Sequence, residues 1–422
     1  MEAISKITDI GQIPSDWNIK TIEQLFENGF QNGVFFEVDR KGKGIPIVNV
    51  SDLYGSVPID GKKLEKFNAT EKEIERFIVH KGDLFFTRSS VVPAGIAMCN
   101  VYDDKDENGA VFDSHVIKLS VNQQEVNSLF LCLQCRMPYC RSFFIANSKT
   151  AIMTTIDQKS LAKCPIPMPQ LSEQDDIVGT IRRFDTYIDD LAELIEKKRG
   201  IRDGALEDLI CHRIRLEGFN DEWTTVSFNQ VITPKARIGW QGLKKHEYLR
   251  SGYSYLIGGT DFSHGTVSLD NIWFVSKDRY DMDANIQVSE NDVLVTKDGT
   301  IGKVALVPEL GKPATLNSGV FVFRTNNRLL PTFLFRVLSS SVFREFIDTL
   351  SAGSTIKHLY QKDLKNFEFE IPVDKKEQEA IADTLTAMDE EIEALEIERD
   401  KMIQIREGAM DDLLTGRVRL SV

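Results

Sequence analysis

The feature that most constrains the fold is an internal duplication. Residues 173–216 and 377–420 align without a gap, and 17 of the 44 positions are identical. Weaker similarity extends upstream through both copies, so that Trp17 aligns with Trp223. Self-similarity at a fixed period indicates a repeated structural unit. The 422 residues therefore form two copies of one unit, which predicts an internal pseudo-twofold repeat.

Each duplicated segment has the apolar spacing of a coiled-coil helix. Apolar residues recur at steps of three and four, and the other faces carry Asp, Glu, Lys and Arg. A helix of 44 residues is roughly 66 Å long. A single amphipathic helix packed on its own domain would show a similar stripe, but the length and the duplication favour two helices paired with each other. The predicted helix–helix contacts are Ile177, Ile181, Phe184, Ile188 and Leu191 in the first copy and Ile381, Leu385, Met388, Ile392 and Leu395 in the second.

The rest of each copy is predicted to be α+β. Short β-branched and aromatic runs alternate with turn clusters over 13–165 and 219–370, and one helix follows in each copy, at about 126–146 and 329–350. The predicted organisation has a globular domain at 1–165, a long helix at 166–216, a second domain at 217–370 and a second long helix at 371–422.

Most of the net negative charge of the chain lies in the predicted helices. The formal net charge is −13, and the two duplicated segments together hold −11 of it. The other residues carry 38 basic and 40 acidic side chains. Because those parts are close to neutral, basic patches can form on them and bind nucleic acid even though the whole chain is acidic.

Two short segments occupy the same position in both copies, directly after a predicted strand. They are "TRSS" (87–90) and "TKDG" (296–299), with Arg88 and Lys297 in equivalent positions. Basic, hydroxyl and glycine residues together can bind phosphates through charge and backbone N–H groups, although each such loop could also be a solvated turn. The candidate nucleic-acid-binding residues are Arg40, Lys41, Lys43, Lys62, Lys63, Arg88, Ser89 and Ser90 in the first copy, and Lys235, Arg237, Trp240, Lys244, Lys245, Lys297, Thr300 and Lys303 in the second.

No catalytic or metal-binding constellation is predicted. The chain contains no G-x-x-x-x-G-K-[ST], H-E-x-x-H or G-x-S-x-G motif and no [DN]-P-P-[YF] segment. His80, His115 and His246 are single residues. Cys132, Cys135 and Cys140 cluster in the sequence, but they lie on a predicted amphipathic helix, which favours buried free thiols over a metal site.

The start of the sequence and the cysteine usage favour a soluble cytoplasmic protein. "MEAISKITDIGQ" has neither the basic start nor the apolar region of a secretory signal. The apolar run "SLFLCLQC" is far too short to span a bilayer, so no membrane partner is expected. Six cysteines scattered over a chain of this length do not form the pattern of a disulfide framework.

The order of domain, long helix, domain and long helix resembles the DNA-specificity subunits of type I restriction–modification systems. No single motif is specific for that family, but the order and duplication of several motifs are. The segments that carry the resemblance are "IPSDW" (13–17), "KGDLFFTRSS" (81–90), "IPMPQLSEQDDI" (166–177), "GALEDLICHRIRL" (204–216), "ENDVLVTKDGTIGKVAL" (290–306), "IPVDKKEQEAI" (371–381) and "GAMDDLLTGRVRL" (408–420).

The resemblance implies two target-recognition domains, each similar to that of adenine-N6 methyltransferases and each recognising half of a bipartite site in double-stranded DNA. The two long helices would form an antiparallel coiled coil that spaces the domains and docks two modification (methyltransferase) subunits. This chain would be non-catalytic and hold no cofactor itself. The methyltransferase complex would use S-adenosylmethionine, and restriction subunits would add an ATP- and Mg²⁺-dependent nuclease. One departure is Ser90, where the family more often has glycine, as this chain has at Gly299.

Two other functions remain open from the sequence. The chain could be a standalone DNA-binding regulator of the same architecture, or an adaptor built around the coiled coil that binds no DNA. Tight DNA binding without partner subunits would indicate the first. DNA binding with almost no salt dependence would indicate the second.

Overall fold

The computed structural model describes residues 5–35, 37–103, 109–239, 242–351 and 358–420. The chain forms two compact units, and both long helices contribute to both of them. Unit 1 comprises Met1–Asp190 and Glu398–Val422, and unit 2 comprises Leu191–Ile397. Each unit therefore contains one half of each long helix together with one globular part.

Within the described residues, unit 1 contains strands β1 to β14 and the first helices. The strands are β1 (Ser5–Thr8), β2 (Gly11–Pro14), β3 (Asn18–Thr21), β4 (Phe26–Asn32), β5 (Lys41–Val48), β6 (Glu65–Phe67), β7 (Leu84–Thr87), β8 (Ser89–Ser90), β9 (Cys99–Val101), β10 (Val111–Phe112), β11 (Val116–Val121), β12 (Lys149–Thr150), β13 (Thr154–Thr155) and β14 (Pro165–Met168). The helices are α1 (Glu71–Phe77), α2 (Ser128–Arg136), α3 (Pro138–Ala146), α4 (Gln158–Ala162) and the long helix α5 (Leu171–Ile210), which continues into unit 2.

The core of unit 1 is built around a sheet of order β4–β11–β7–β9. Strand β7 has the sequence LFFT and is buried on both faces, which explains its continuous apolar run. Phe86 packs with Phe130 and Phe144 on one side, and Phe85 packs with Phe112 on the other. Two smaller sheets have the orders β10–β5–β6 and β12–β13–β8.

Unit 2 has the remaining elements. Its strands are β15 (Trp223–Ser227), β16 (Ile232–Ala236), β17 (Ser254–Ile257), β18 (Phe262–Ser263), β19 (Thr266–Val267), β20 (Trp273–Val275), β21 (Gln287–Val288), β22 (Val293–Thr296), β23 (Val304–Leu306), β24 (Ala314–Leu316), β25 (Val320–Thr325) and β26 (Glu368–Pro372). Its helices are α6 (Phe228–Val231), α7 (Lys277–Asp281), α8 (Pro331–Ser339), α9 (Ser341–Ser351), α10 (Gln361–Leu364) and the long helix α11 (Lys375–Thr415), which continues into unit 1.

Unit 2 has the same plan with larger sheets. One sheet has the order β16–β25–β22–β23–β19–β18, and a second has the order β20–β17–β24–β21. The buried strand β22 takes the place that β7 has in unit 1, directly before the equivalent turn. Phe228, Phe323 and Phe333 are at the centre of the main core, which also includes Leu385 of α11.

The helix predicted near the end of each globular part is a pair of helices. In unit 1 the break lies between α2 and α3, where Pro138 has no N–H to continue the hydrogen-bond ladder. In unit 2 it lies at Ser340, which is extended and closes α8 with hydrogen bonds from its N–H to Arg336 O and Val337 O. The prediction of a single helix in each copy is therefore wrong.

The long helices end differently from each other relative to the sequence prediction. Helix α5 ends at Ile210, before the predicted residue 216, whereas α11 ends at Thr415, directly before Gly416, a residue type that suits a helix end. The equivalent residues His212 (φ 57°) and Gly416 (φ 71°) adopt the left-handed conformation that terminates helices. After that residue the chain turns back, and the N–H of Ile214 bonds to Asp208 O at 3.1 Å.

Within each unit the two helix segments run antiparallel. In unit 1, Arg406 pairs with Asp185 at 2.9 Å, and Tyr187 donates to Glu398 at 2.5 Å. In unit 2, Lys198 pairs with Glu391 at 2.6 Å, and Arg202 with Asp389 at 2.9 Å. Partner numbers fall on one helix as they rise on the other. Within the described ranges, no helix is both long and apolar enough to cross a membrane.

Candidate nucleic-acid interface

The equivalent turns of the two units share one hydrogen-bond scaffold. We name residues 87–90 and 296–299 the cationic turns. In unit 1 the Thr87 hydroxyl donates to Gly95 O at 2.8 Å and accepts from Met98 N at 2.9 Å. In unit 2 the Thr296 hydroxyl donates to Thr300 O at 2.5 Å and accepts from Lys303 N at 2.9 Å. The hydroxyl therefore fixes the loop that follows each strand.

The backbone of each cationic residue is held on both sides. Arg88 N donates to His115 O at 2.9 Å, and Arg88 O accepts from Ile156 N at 3.2 Å. Lys297 N donates to Gly319 O and Lys297 O accepts from Leu359 N, both at 2.8 Å. A rigid backbone with a long basic side chain suits phosphate contact, because little order is lost on binding. Arg88 is exposed, whereas Lys297 is half-buried with its ammonium 5.6 Å from the Phe321 ring centroid.

Ser89 and Ser90 are placed differently by their pairing with β13. Ser89 lies opposite Thr155 and is half-buried. Ser90 is buried, and its hydroxyl accepts from Val92 N at 3.3 Å. In unit 2, Thr300 and Lys303 are exposed. Ser89, Thr300 and Lys303 are therefore available at the surface, whereas the Ser90 side chain belongs to the internal structure of its turn.

The two basic loops of unit 1 divide into free and engaged residues. The Arg40 guanidinium makes two hydrogen bonds to Glu73, one to Oε1 at 3.1 Å and a shorter one to Oε2, and also donates to Asn68 O. This pair lowers the pKa of Glu73 to about 2. Lys41 pairs with Glu65 at 3.2 Å. The remaining predicted residues of these loops, Lys43, Lys62 and Lys63, are exposed, with Lys63 3.1 Å from Asp60.

The basic segment of unit 2 is only partly at the surface. Arg237 is 3% exposed, and its Nε donates to Leu316 O at 2.9 Å. Burial lowers the pKa of this guanidinium. The prediction that Arg237 contacts DNA conflicts with this position, because a buried guanidinium cannot reach a phosphate. Lys235 is half-buried, and Lys244 and Lys245 are exposed. Trp240 lies outside the described residues.

Each unit has a joint between its domain and the long helices, which the sequence did not reveal. We define the joint of unit 2 as Glu377, Arg215 and Trp223, and that of unit 1 as the equivalent Glu173, Arg419 and Trp17. Glu377 is fully buried and accepts two bonds from Arg215 at 2.8 Å and one from Trp223 Nε1 at 3.2 Å. Glu173 accepts from Arg419 at 2.8 Å and from Trp17 Nε1 at 3.2 Å. The alignment had matched all three residues, but a repeat does not show which of them touch.

The predicted helix–helix contacts are buried to different degrees. Ile177, Ile181, Leu191, Ile381, Leu385 and Ile392 are buried, and Phe184, Ile188, Met388 and Leu395 are half-buried. Near the start of each long helix these side chains also join a domain core. Ile177 and Ile181 lie in the same cluster as Leu413 and Leu414, and Ile381 and Leu385 lie in that of Leu206 and Leu209. Each helix start is thus packed against both its domain and the other helix.

The cysteines of unit 1 lie in its core. Cys132, Cys135 and Cys140 are fully buried free thiols, as predicted, and Cys140 lies 3.5 Å from Cys164. In the part of the chain that the structure describes, no three His, Cys, Asp or Glu side chains are grouped so as to hold a metal ion.

Comparison with known proteins agrees with this architecture. The sequence profile of the type I restriction modification DNA specificity domain matches residues 14–198 and again residues 220–403. The chain is 22% identical to the type I restriction enzyme MjaVIII specificity subunit of Methanocaldococcus jannaschii, over 97% of this chain and 94% of that protein. It is also 22% identical to the EcoBI specificity subunit of Escherichia coli, over 64% of this chain and 61% of that protein.

Solved structures of similar fold cover almost the whole chain. The type I restriction–modification S subunit from M. genitalium aligns with a TM-score of 0.54 at 16% identity, over 97% of both chains. The HsdS subunit from Thermoanaerobacter tengcongensis aligns with a TM-score of 0.52 at 16% identity, over 96% of this chain and 98% of that one. These matches confirm the predicted fold class, with two α+β domains in tandem, long antiparallel helices and an internal repeat. Because the domain profile matches twice and covers most of the sequence, the chain belongs to the type I restriction modification DNA specificity family.

Proposed function

We propose that this chain is the specificity subunit of a type I restriction–modification complex, in which each domain recognises one half of a bipartite DNA site. The observation that carries the proposal is the pair of cationic turns. Two domains with different sheet orders keep the same threonine scaffold and present Arg88 or Lys297 from it. A repeated, rigid and basic turn is suited to holding two domains on two stretches of one duplex.

The DNA contacts divide between positioning and recognition. Cationic side chains bind phosphates and supply affinity that falls with salt, whereas base edges in the major groove supply sequence information. We assign the phosphate contacts to Lys43, Lys62, Lys63 and Arg88 in unit 1 and to Lys244, Lys245, Lys297 and Lys303 in unit 2. Ser89 and Thr300 would donate hydrogen bonds beside them. Arg40 and Arg237 are left out, since Glu73 and the core already hold them.

The long helices are the proposed spacer and docking surface. Together the duplicated segments account for −11 of the net charge of −13, which favours binding to protein rather than to phosphate. Equivalent helix ends would give two like docking surfaces for two methyltransferase subunits. S-adenosylmethionine would be bound by those subunits, and ATP and Mg²⁺ by restriction subunits. The domain boundaries proposed for this role are 1–165, 166–216, 217–370 and 371–422, and the DNA partner favours a cytoplasmic location.

Insertion into the helices tests the spacer. Seven residues, which preserve the helix face, would be inserted after Asp190 and after Ile397, where the two units divide. Each helix then lengthens by about 10 Å, close to three base pairs. Methylation sequencing of a host that co-expresses the variant with its methyltransferase subunit should show unchanged half-sites and a longer spacer. An insertion in α5 alone is the matched control, because it removes the register between the helices and should abolish methylation.

The same measurement separates the alternatives. A specificity subunit produces a methylated bipartite motif only with its methyltransferase, and that motif disappears when either gene is removed. A standalone regulator and an adaptor would both give no methylated motif, and DNA binding by the chain alone would then identify the regulator. If the insertion variant kept the original spacer, the long helices would not set the distance between half-sites.

A further inference from the structure

Two loops that are distant in sequence meet at one edge of unit 1. Strand β8 pairs with β13, so that Ser90 lies opposite Thr154 and Ser89 opposite Thr155. Val91 and Val92 directly follow β8, and the β12–β13 hairpin turns at Ala151–Met153, where Ala151 N bonds to Met153 O. The two loops therefore lie at the same end of this small sheet, next to the cationic turn.

These loops expose large apolar side chains. Ile152 is 98% exposed, Val91 82%, Val92 56% and Met153 43%. We name these four residues the apolar tip. Single exposed apolar residues are ordinary, but a contiguous group indicates a surface that is covered in the functional state.

The surroundings of the apolar tip indicate what covers it. Residues 87–95 and 147–156 contain no Asp or Glu, although the chain has 64 of them. They contain Arg88 and Lys149, both exposed, and several hydroxyl side chains. An apolar centre flanked by cations and hydroxyls, in a chain of net charge −13, complements a partner that is both polyanionic and locally apolar. Duplex DNA has this combination where thymine methyl groups line the major groove.

We propose that the apolar tip contacts the C5-methyl groups of thymines in one half-site, with Ile152 as its main contact. This inference rests on the proposed function, because it assigns a recognition mode to unit 1. Arg88 and Lys149 bind the flanking phosphates and hold the hairpin in the groove. The half-site of unit 1 then contains at least one A·T pair that is distinguished by its methyl group.

The cationic turn of unit 2 is built differently at the same place. The residues equivalent to Val91 and Val92 are Thr300, which is exposed and polar, and Ile301, which is half-buried and packs with the core of its unit. At this turn unit 2 thus presents a hydroxyl where unit 1 presents two valines. We therefore assign recognition of thymine methyl groups by the cationic turn to unit 1 alone.

Replacement of thymine by deoxyuridine tests the proposal, because it removes only the methyl group. The assembled methyltransferase complex would be titrated with duplexes that carry deoxyuridine in one half-site or the other. We expect affinity to fall roughly fourfold for each contacted methyl group, in one half-site only. Ile152→Ala should weaken binding to thymine DNA and abolish the difference between thymine and deoxyuridine in that half-site.

A matched control is available in the same unit. Ile7 is 92% exposed on β1, in a two-stranded sheet that includes neither β8 nor β13, and Ile7→Ala should leave the thymine preference unchanged. The proposal is overturned if deoxyuridine has no effect in either half-site, if Ile152→Ala weakens thymine and deoxyuridine DNA equally, or if the half-sites contain only G·C pairs. If the wild-type complex showed no sequence-specific DNA binding at all, that result would instead contradict the proposed function.

Discussion

The two units share their joint but differ in how each domain is fixed to the long helices. In unit 2, Asp389 of α11 pairs with Arg202 at 2.9 Å and with Arg336 of α8 at 2.5 Å. In unit 1, the equivalent Asp185 pairs with Arg406 at 2.9 Å, and Leu133 stands at the position of Arg336. Arg336 is only 5% exposed, so its charged guanidinium is stabilised by Asp389 and the Thr386 hydroxyl rather than by water.

The difference shows which part of the repeat tolerates change. Helix-to-helix pairs such as Asp185–Arg406 and Arg202–Asp389 are equivalent in both units, and so are the residues of the two joints. The domain-to-helix contact beside them differs, because unit 1 has an apolar residue where unit 2 has the buried Arg336 paired with the partly exposed Asp389. One helical scaffold can therefore carry two unlike domains, because each domain makes its own local contact to an unchanged pair of helices.

The largest effect is expected from neutralising the two aspartates separately. Asp389→Asn leaves the Arg336 guanidinium, whose side chain is 7% exposed, without a counter-charge, and an uncompensated buried charge typically costs about 3 kcal/mol. Asp185→Asn affects the single, more exposed Arg406 and should cost about 1 kcal/mol. Unfolding of the full chain, followed by hydrogen exchange and mass spectrometry, would assign each loss to its own unit.

A double variant shows whether the unpaired charge of Arg336 causes the loss of stability in Asp389→Asn. Arg336→Leu installs the residue type that unit 1 has at this position, so Asp389→Asn combined with Arg336→Leu should be more stable than Asp389→Asn alone. Equal losses at Asp389 and Asp185, or no recovery in the double variant, would mean that Arg336 does not distinguish the units.

The ends of the long helices offer a second comparison, with a smaller effect. Gly416 has φ 71°, and a Cβ there would lie 2.5 Å from Pro14 Cδ, so Gly416→Ala should destabilise unit 1 by about 2 kcal/mol. His212→Gly relieves the same backbone conformation but removes a ring stacked on Trp223 at 4.6 Å. These two contributions are each about 1 kcal/mol and nearly cancel. Calorimetry of both variants would measure the contrast, and a large loss for His212→Gly would show that the stacked ring dominates.

The sequence predicted the repeat, the long helices and the strands before each cationic turn, because those features are local or periodic. Gly416 indicated the end of α11, but nothing in the sequence indicated the end of α5. The left-handed conformation of His212 is unusual for a residue other than glycine and is visible only in three dimensions. The position of Arg237 also depends on long-range pairing. Strand β16 pairs with β25, with Ala236 opposite Phe321, and the next residue, Arg237, donates a hydrogen bond to Leu316 O of β24.

The candidate interface shows the same division. Arg88 and Lys297 could be proposed from the alignment, since an equivalent basic residue in two copies is a signal that sequence contains. Ile152 could not, because it becomes part of one surface with Val91 only when β13 pairs with β8. The sequence did not indicate that Arg40 pairs with Glu73, because the two residues are 33 positions apart in the chain and meet only in the folded structure.

The smallest predicted effect concerns the two cationic turns themselves. Arg88→Ala and Lys297→Ala should each remove one phosphate contact, so that the slope of log K against log salt concentration becomes less negative by about 0.9. Binding should weaken similarly for all DNA sequences, because phosphate contacts carry no base information. Lys72→Ala, at an exposed lysine of α1, is the control and should leave the slope unchanged.

Comparison of the two slopes tests whether equivalent structure means equivalent function. Lys297 is half-buried over Phe321, whereas Arg88 is exposed, so the lysine has less freedom to reach a phosphate. If both variants change the slope equally, the shared threonine scaffold determines the contact. If only Arg88→Ala changes the slope, the threonine scaffold has a structural role in both units but supports a phosphate contact only in unit 1. Unit 2 would then bind DNA through Lys303 and the lysines at 244 and 245.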